Sequence, residues 1–318
     1  MYRVGIDFGG TNIAAGVVDE NYNILATAQC KTNAPRDIHA IVDDMARIVF
    51  EAIEKSGIDI EKIDSMGVGA PGAVNPVEGI VYRAENLDFY NVNLSALLEE
   101  RVGKKFYLEN DANAAAYGEF LAGAGKGTEN FVAITLGTGV GGGIIIDKKI
   151  YSGSNFAGGE FGHMVILKDG ESCNCGRSGC FEAYASATAL INQTKQAMIR
   201  YPDTVLWELS ENDMNKVSGR TAFDGMRKGD KVAQAVVNKY IEYLSVGVSN
   251  ILNIFQPEVI CIGGGISKEG KTLTDRLEAI VSGDDYAASL EKRTVIKTAF
   301  LGRDAGIIGA AFLADLYK

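Results

Sequence analysis

The sequence predicts an α/β protein of two similar lobes with a cleft between them, the second lobe carrying a metal-bound loop. The first observation is an internal echo. Val4-Gly5-Ile6-Asp7-Phe8-Gly9-Gly10-Thr11 aligns with Val132-Ala133-Ile134-Thr135-Leu136-Gly137-Thr138-Gly139, and the same ungapped offset puts Val17-Val18-Asp19 on Ile145-Ile146-Asp147. Both copies read strand, glycine-rich turn, strand. The second is the alternation of apolar strands with amphipathic helices along the rest of the chain. The third is a crowd of one histidine and three cysteines between residues 163 and 180. A chain of 318 residues, 47% of them hydrophobic, is long enough for two cores.

The elements follow in order. Residues 2–7 and 13–19 read as strands joined by Gly9-Gly10-Thr11-Asn12, and 23–30 continue the meander. A helix is expected over about 37–55, with Ile38, Ile41, Val42, Met45, Ile48 and Ile53 on one face and Gly57 as its stop. An apolar strand near 63–70 runs into Gly69-Ala70-Pro71-Gly72. Lys105–Glu109 reads as a strand and 112–122 as an alanine-rich helix. Residues 231–255 form a long amphipathic helix, Val259–Ile262 runs into Gly263-Gly264-Gly265, and a last helix covers about 305–317, crossing back onto the first lobe. Residues 200–222, with the only tryptophan, Trp207, carry no pattern beyond that of a surface segment.

Composition excludes several functions. Acidic residues outnumber basic ones 41 to 31, a formal charge of −10 with no basic run, so phosphate-neutralising contact with nucleic acid is not expected. ATP is not excluded, because backbone N–H groups and Mg²⁺ can hold its phosphates locally. No apolar stretch reaches membrane-spanning length, and Met1–Asp7 lacks the pattern of a signal peptide, so a cytoplasmic protein without a membrane partner is expected. Cys30 and Cys261 lie in apolar runs and read as core residues.

Three strand-to-glycine turns recur: Asp7-Phe8-Gly9-Gly10-Thr11-Asn12, Leu136-Gly137-Thr138-Gly139-Val140-Gly141-Gly142-Gly143, and Gly263-Gly264-Gly265. Each allows two readings, a tight turn and nothing more, or a phosphate cradle in which successive N–H groups converge on oxygens. Threonines at 11 and 138 add hydroxyls, and Asp7 could hold Mg²⁺ through water. The turns fit neither the P-loop nor the strand-to-helix dinucleotide fingerprint, since the second leads into a strand.

His163 precedes Cys173-Asn174-Cys175-Gly176-Arg177-Ser178-Gly179-Cys180. One imidazole and three thiolates complete a tetrahedral Zn²⁺ shell, which leaves the metal no open position and makes it structural. The only other histidine, His39, reads as a surface residue of the first helix.

The glycine turns resemble those of the sugar kinase/Hsp70/actin superfamily. Gly158-Gly159-Glu160-Phe161-Gly162-His163, followed by the Cys-x-Cys-Gly-x-x-Gly-Cys loop and Phe181-Glu182, resembles the signature of the ROK family (repressors, open reading frames, kinases). That resemblance runs from Asp7 to Gly302-Arg303-Asp304-Ala305-Gly306. It implies an actin-like, Hsp70-like ATPase fold of two ribonuclease H-like lobes, one of residues 1–115 plus about 303–318 and the other of 116–302. It also implies ATP, Mg²⁺ and structural Zn²⁺, with Asp7, Gly9, Gly10, Thr11, Asn12, Gly137, Thr138 and Gly139 at the phosphates and Gly263, Gly264 and Gly265 by the adenosine.

Glu109-Asn110-Asp111-Ala112-Asn113 stands between a strand and a helix, where the residues alone read as a helix cap. The resemblance implies instead that Asn110 binds sugar and that Asp111 accepts the proton of the attacking hydroxyl. It places Gly72, Asn86, Glu160, His163 and Glu182 at the sugar as well, His163 also ligating the metal. The activity implied is phosphorylation of a hexose, glucose first, with an N-acetylhexosamine as the alternative substrate and a homodimer as the assembly. A sugar-responsive repressor is disfavoured, because the first strand starts near Tyr2 and leaves no room for a DNA-binding domain ahead of it.

Overall fold

The computed structural model describes the chain except Ala288 and the side chain of Asn86. The chain opens on the meander β1 (Tyr2–Phe8), β2 (Asn12–Asp19) and β3 (Ile24–Lys31), then helix α1 (Ile38–Ser56). Asp37 caps α1 by accepting the Ala40 N–H at 3.2 Å, and Gly57 ends it. β4 (Ile63–Ala70) follows, then three short strands, β5 (Ala73–Asn75), β6 (Ile80–Ala84) and β7 (Phe89–Val92), in a small antiparallel sheet of their own. Helix α2 (Leu94–Val102), strand β8 (Phe106–Asn110) and helix α3 (Asp111–Ala122) come next.

The first sheet has the order β3-β2-β1-β4-β8. Its meander is antiparallel, whereas β4 runs parallel to β1 and β8 parallel to β4. Asp7 pairs with Gly69, and Ala70 with Asn110, so the carboxyl ends of β1, β4 and β8 stand side by side. Ligands of parallel α/β sheets bind outside such ends.

The pattern then repeats. Strands β9 (Phe131–Leu136), β10 (Val140–Ile146) and β11 (Lys149–Ile150) precede helices α4 (Glu182–Ala185), α5 (Ala187–Arg200), α6 (Leu206–Leu209), α7 (Thr221–Arg227) and α8 (Lys231–Phe255). Strand β12 (Val259–Gly264), helix α9 (Lys271–Asp284) and strand β13 (Val295–Thr298) follow, and α10 (Asp304–Ala311) and α11 (Ala314–Tyr317) end the chain. The second sheet reads β11-β10-β9-β12-β13, the order of the first sheet element for element. The fold is thus the expected α/β fold, built on two five-stranded sheets of one order, with the small sheet β5-β6-β7 in addition.

Two compact units result, one of Met1–Val132, Gly143–Gly159 and Phe300–Lys318, the other of Ala133–Gly142 and Glu160–Ala299. In the first, Val4, Ile6, Phe8, Ile13 and Val17 pack with Ile41, Val42, Met45 and Ile48, all fully buried. Burying each Val, Ile, Phe or Met side chain contributes roughly 1.5–3 kcal/mol. Helix α10 lies directly on β1 and β4: a Cβ on Gly5 would stand 1.9 Å from the Ile307 carbonyl oxygen, and one on Gly67 2.0 Å from that of Ala310. It packs as tightly on α3, where a Cβ on Gly309 would stand 1.7 Å from the Ala114 carbonyl oxygen. That close approach explains the alanine- and glycine-rich sequences of both helices.

Two expectations need correction. The last helix is not continuous over 305–317. It tightens at its end, where the N–H groups of Phe312 and Leu313 bond three residues back to Gly309 and Ala310 at 3.2 Å, and α11 starts afresh. The Phe312 ring there takes the Arg3 guanidinium at 4.2 Å and the Tyr22 ring at 4.7 Å. Nor is 200–222 merely surface. Trp207 is half-buried against Met198, Leu206, Val217 and Ala233, and its indole N–H donates to the Met198 carbonyl at 3.1 Å.

Candidate active site and metal centre

In the first unit, the strand ends gather Asp7, Gly72, Asn110 and Asp111. Asn110 caps α3, its side-chain oxygen accepting the N–H groups of Ala112 (2.9 Å) and Asn113 (3.1 Å). Its amide nitrogen donates to the Gly72 carbonyl at 3.0 Å. Gly72 has φ 92°, and a Cβ on it would stand 2.0 Å from the Arg83 carbonyl oxygen, so only glycine fits there. The cap reading of Asn110 therefore holds, and the cap also fixes where Asp111 begins the helix. Asp111 accepts the Ala112 N–H at 2.9 Å.

Asp7 is half-buried at the end of β1. Burial first, and the Asp111 charge second, push its carboxyl up to about 6. Gly306 on α10 leaves room for it, since a Cβ there would stand 2.7 Å from the carboxyl carbon. Two carboxylates whose charges act on one another favour a cation at this strand end. The glycine turn after β1 closes through a bond from the Gly9 N–H to the Asn12 carbonyl at 3.0 Å, and Lys31 donates to the Asn12 side chain at 2.8 Å.

Thr32 supports that turn and carries no motif in the sequence. Fully buried, it donates its hydroxyl to the Gly9 carbonyl at 2.7 Å and its N–H to the Thr11 carbonyl at 3.0 Å. Glu109 likewise belongs to no sequence motif, yet it is a fully buried acid directly before Asn110. The side chain of Asn86 lies outside the described residues.

In the second unit, the turn after β9 is held from below by α4 and α5. The Gly137 carbonyl accepts the Ala187 N–H at 2.8 Å, and the Thr138 carbonyl accepts the Thr188 hydroxyl at 2.8 Å. Glu182 reaches the same turn and accepts the Val140 N–H at 2.9 Å; a Cβ on Gly139 would collide with its carboxylate at 2.2 Å. Gly263 and Gly264 end β12, and Gly265 follows it beside this turn. Gly264 has φ 84°, and a Cβ on it would stand 2.3 Å from the Leu136 carbonyl oxygen. The unit therefore brings together 137–139, 263–265 and Glu182, while Glu160 is exposed just ahead of the short 3₁₀ turn Phe161–His163.

The four metal-ligand candidates converge. One donor atom from each of His163, Cys173, Cys175 and Cys180 lies within 4.8 Å of all the others. The Cys173 sulfur is 3.7 Å from His163 Nδ1, and the Cys175 sulfur 3.6 Å from that of Cys180. A tetrahedron with ~2.3 Å metal–sulfur bonds has edges of about 3.8 Å, so the donor set fits Zn²⁺ with no position to spare. Short backbone bonds fold the loop, from the Cys173 N–H to the Arg177 carbonyl (2.8 Å) and from the Gly179 N–H to the Glu171 carbonyl (2.8 Å). Arg177 ties it to the His163 carbonyl. His39, by contrast, is exposed on α1 beside Arg101.

Two sheets of one strand order, each opening on a strand, a glycine turn and a strand, with a His–Cys₃ loop in the second unit, define a duplicated mixed α/β fold with a metal centre. The chain belongs to the ROK family, which it matches across residues 3–316. It is 39% identical over 313 residues to a glucokinase of Streptomyces coelicolor, covering 98% of this chain and 96% of that one. It is 36% identical over 309 residues to a glucokinase of Thermotoga maritima, covering 97% and 95%. Among solved structures, a ROK family glucokinase from Streptomyces griseus in complex with glucose and AMPPNP superposes with a TM-score of 0.81, at 36% identity over 98% of this chain and 99% of that one. Among the described residues, no helix is long and apolar enough to cross a membrane.

Proposed function

We propose that this protein is an ATP-dependent hexose kinase that converts glucose to glucose 6-phosphate, with Asp111 as the general base. The observation that carries the reading is the placement of Asp111 on the first turn of α3, directly after the Asn110 cap, where its charge acts on the half-buried carboxylate of Asp7. Similarity to relatives named glucokinase, and to one solved with glucose and an ATP analogue, supports the choice of substrates.

Phosphoryl transfer is mainly positioning and charge stabilisation, with a carboxylate orienting and deprotonating the attacking hydroxyl. Asp111 takes the proton of the sugar 6-hydroxyl, while Asn110, Gly72, Asn86, Glu160, His163 and Glu182 hold the ring hydroxyls. The N–H groups of Gly9–Asn12 and of Gly137–Gly139 take phosphate oxygens, and Gly263–Gly265 lie by the adenosine. Asp7 holds Mg²⁺ that arrives with the nucleotide and supplies countercharge to the phosphates. Zn²⁺ on His163, Cys173, Cys175 and Cys180 is structural and keeps the His163 imidazole rigid. The same reading takes the protein as a cytoplasmic homodimer.

The test is product analysis by ³¹P NMR after incubation with glucose and Mg-ATP. The reading expects phosphate at O6 of glucose together with ADP. Hydrolysis of ATP to free phosphate, with no sugar ester formed, would overturn it.

A further inference from the structure

We propose that Glu109 is a positioning residue for Asn110 and Asp111, and that the Tyr317 hydroxyl is the donor that holds its carboxylate in place. The proposal rests on the kinase reading above for its link to turnover. Strand β8 is buried from Phe106 to Glu109, and Glu109 is its one charged residue, fully shielded from solvent. A carboxylate in such a position needs donors.

It has three. One oxygen accepts the Asn110 backbone N–H at 2.8 Å and the Asn113 side-chain amide at 3.0 Å. The other accepts the Tyr317 hydroxyl from α11. The first two donors belong to the same turn that presents Asp111. Asn113 is itself buried, and its backbone N–H is one of the two that Asn110 caps. Glu109 therefore pins both ends of a four-residue segment, Asn110 to Asn113, whose first residue is the proposed sugar ligand and whose second is the proposed base. Tyr317 in turn is carried by a helix that Arg3 holds through Asp315 at 2.8 Å, so the donor has a fixed origin.

Hydrogen bonds that converge on one buried carboxyl act in concert, and removing one partner leaves the others less well placed. Misplacing a catalytic group by about 1 Å can cost up to ~100-fold in rate. Glu109 itself touches no substrate in this account, so its effect runs through Asn110 and Asp111.

The experiment compares wild type with Tyr317→Phe, which keeps the ring and removes only the donor, and with Glu109→Gln, which keeps the shape and one acceptor. Both kcat and the hydrogen exchange of the amides of Asn110, Ala112 and Asn113 are measured. The expected result for Tyr317→Phe is a fall in kcat of about 10-fold or more, KM values for sugar and ATP within about 3-fold, and faster exchange confined to this segment. If that variant does not fold, Glu109→Gln carries the test with a fall of the same kind. Wild-type kcat in both variants would overturn the proposal, and so would a fall in kcat with unchanged exchange. A wild-type protein that phosphorylates no sugar would count against the kinase reading alone, and the exchange result would then decide the positioning claim.

Discussion

Replacing Asp7 by asparagine should make the protein more stable at neutral pH while removing its grip on the nucleotide's cation. In the folded chain, burial and the neighbouring Asp111 lift the Asp7 carboxyl from 3.8 to about 6. At about 1.4 kcal/mol per tenfold change in proton affinity, ionising it in place costs about 3 kcal/mol, and about 2 after screening by the water that reaches a half-buried group. The sign follows from proton binding. The folded chain holds this proton more tightly than the unfolded chain, so the group's contribution to stability is full below about pH 3.8 and is lost as the pH rises from there to about 6. Asparagine carries no such cost. Urea unfolding of wild type and Asp7→Asn at pH 4 and pH 7.5 reads the difference directly. The variant should gain about 2 kcal/mol over wild type between the two pH values, and Mg-ATP should stabilise wild type more than the variant. A difference that stays flat with pH, or a variant less stable at pH 7.5, would refute the reasoning.

Other outcomes follow from the same geometry. Asp111→Asn should keep the fold and lower kcat by ~10²–10⁴-fold with little change in sugar affinity, since general-base help is of that size; near-wild-type turnover in steady-state kinetics would remove Asp111 from the role. Stripping metal from the His163, Cys173, Cys175 and Cys180 cluster should abolish glucose binding in calorimetry, and readdition of Zn²⁺ should restore it; full binding in protein verified as metal-free would break the link between loop and sugar. Glu119, 4% exposed, accepts the N–H groups of Ala124 (3.0 Å), Phe300 (3.1 Å) and Leu301 (2.7 Å). Glu119→Ala leaves those donors without their acceptor and should cost about 3–5 kcal/mol in chemical unfolding; an unchanged midpoint would show that water replaces the carboxylate.

Much of the fold can be read from the chain because its strongest signals are local. The ungapped match between Val4–Thr11 and Val132–Gly139 corresponds to β1 and β9 with their turns, and the two sheets repeat one strand order around them. The amphipathic pattern over 231–255 gives helix α8 at those same bounds. The small sheet β5-β6-β7 is not legible, because strands of three to five residues among Pro71, Gly72, Asn75, Pro76 and Gly79 carry too little period. At the break, the Phe312 ring packs on Arg3 and Tyr22, partners nearly the whole chain away that no local pattern announces.

The site divides in the same way. The His–Cys₃ spacing announces the metal centre, because four metal-ligating side chains within eighteen residues, three of them thiols, are rare by accident. Asn110 is visible as a cap from its position between strand and helix. Thr32 and Glu109 are not visible, since a lone threonine after a strand and a lone glutamate at a strand's end belong to no motif. Their roles exist only once the Gly9–Asn12 turn and Tyr317 have been folded against them. The bond from Glu182 to the Val140 N–H is of the same kind, joining two motifs that the sequence presents separately.

The central claim is tested most directly by ADP release from Mg-ATP, measured against glucose, N-acetylglucosamine, N-acetylmannosamine, mannose and fructose. The account predicts sugar-dependent turnover with the highest kcat/KM for glucose. Turnover led by an acetylated sugar would keep the chemistry and replace the substrate, whereas no turnover with any sugar, in protein shown to hold zinc, would contradict the account.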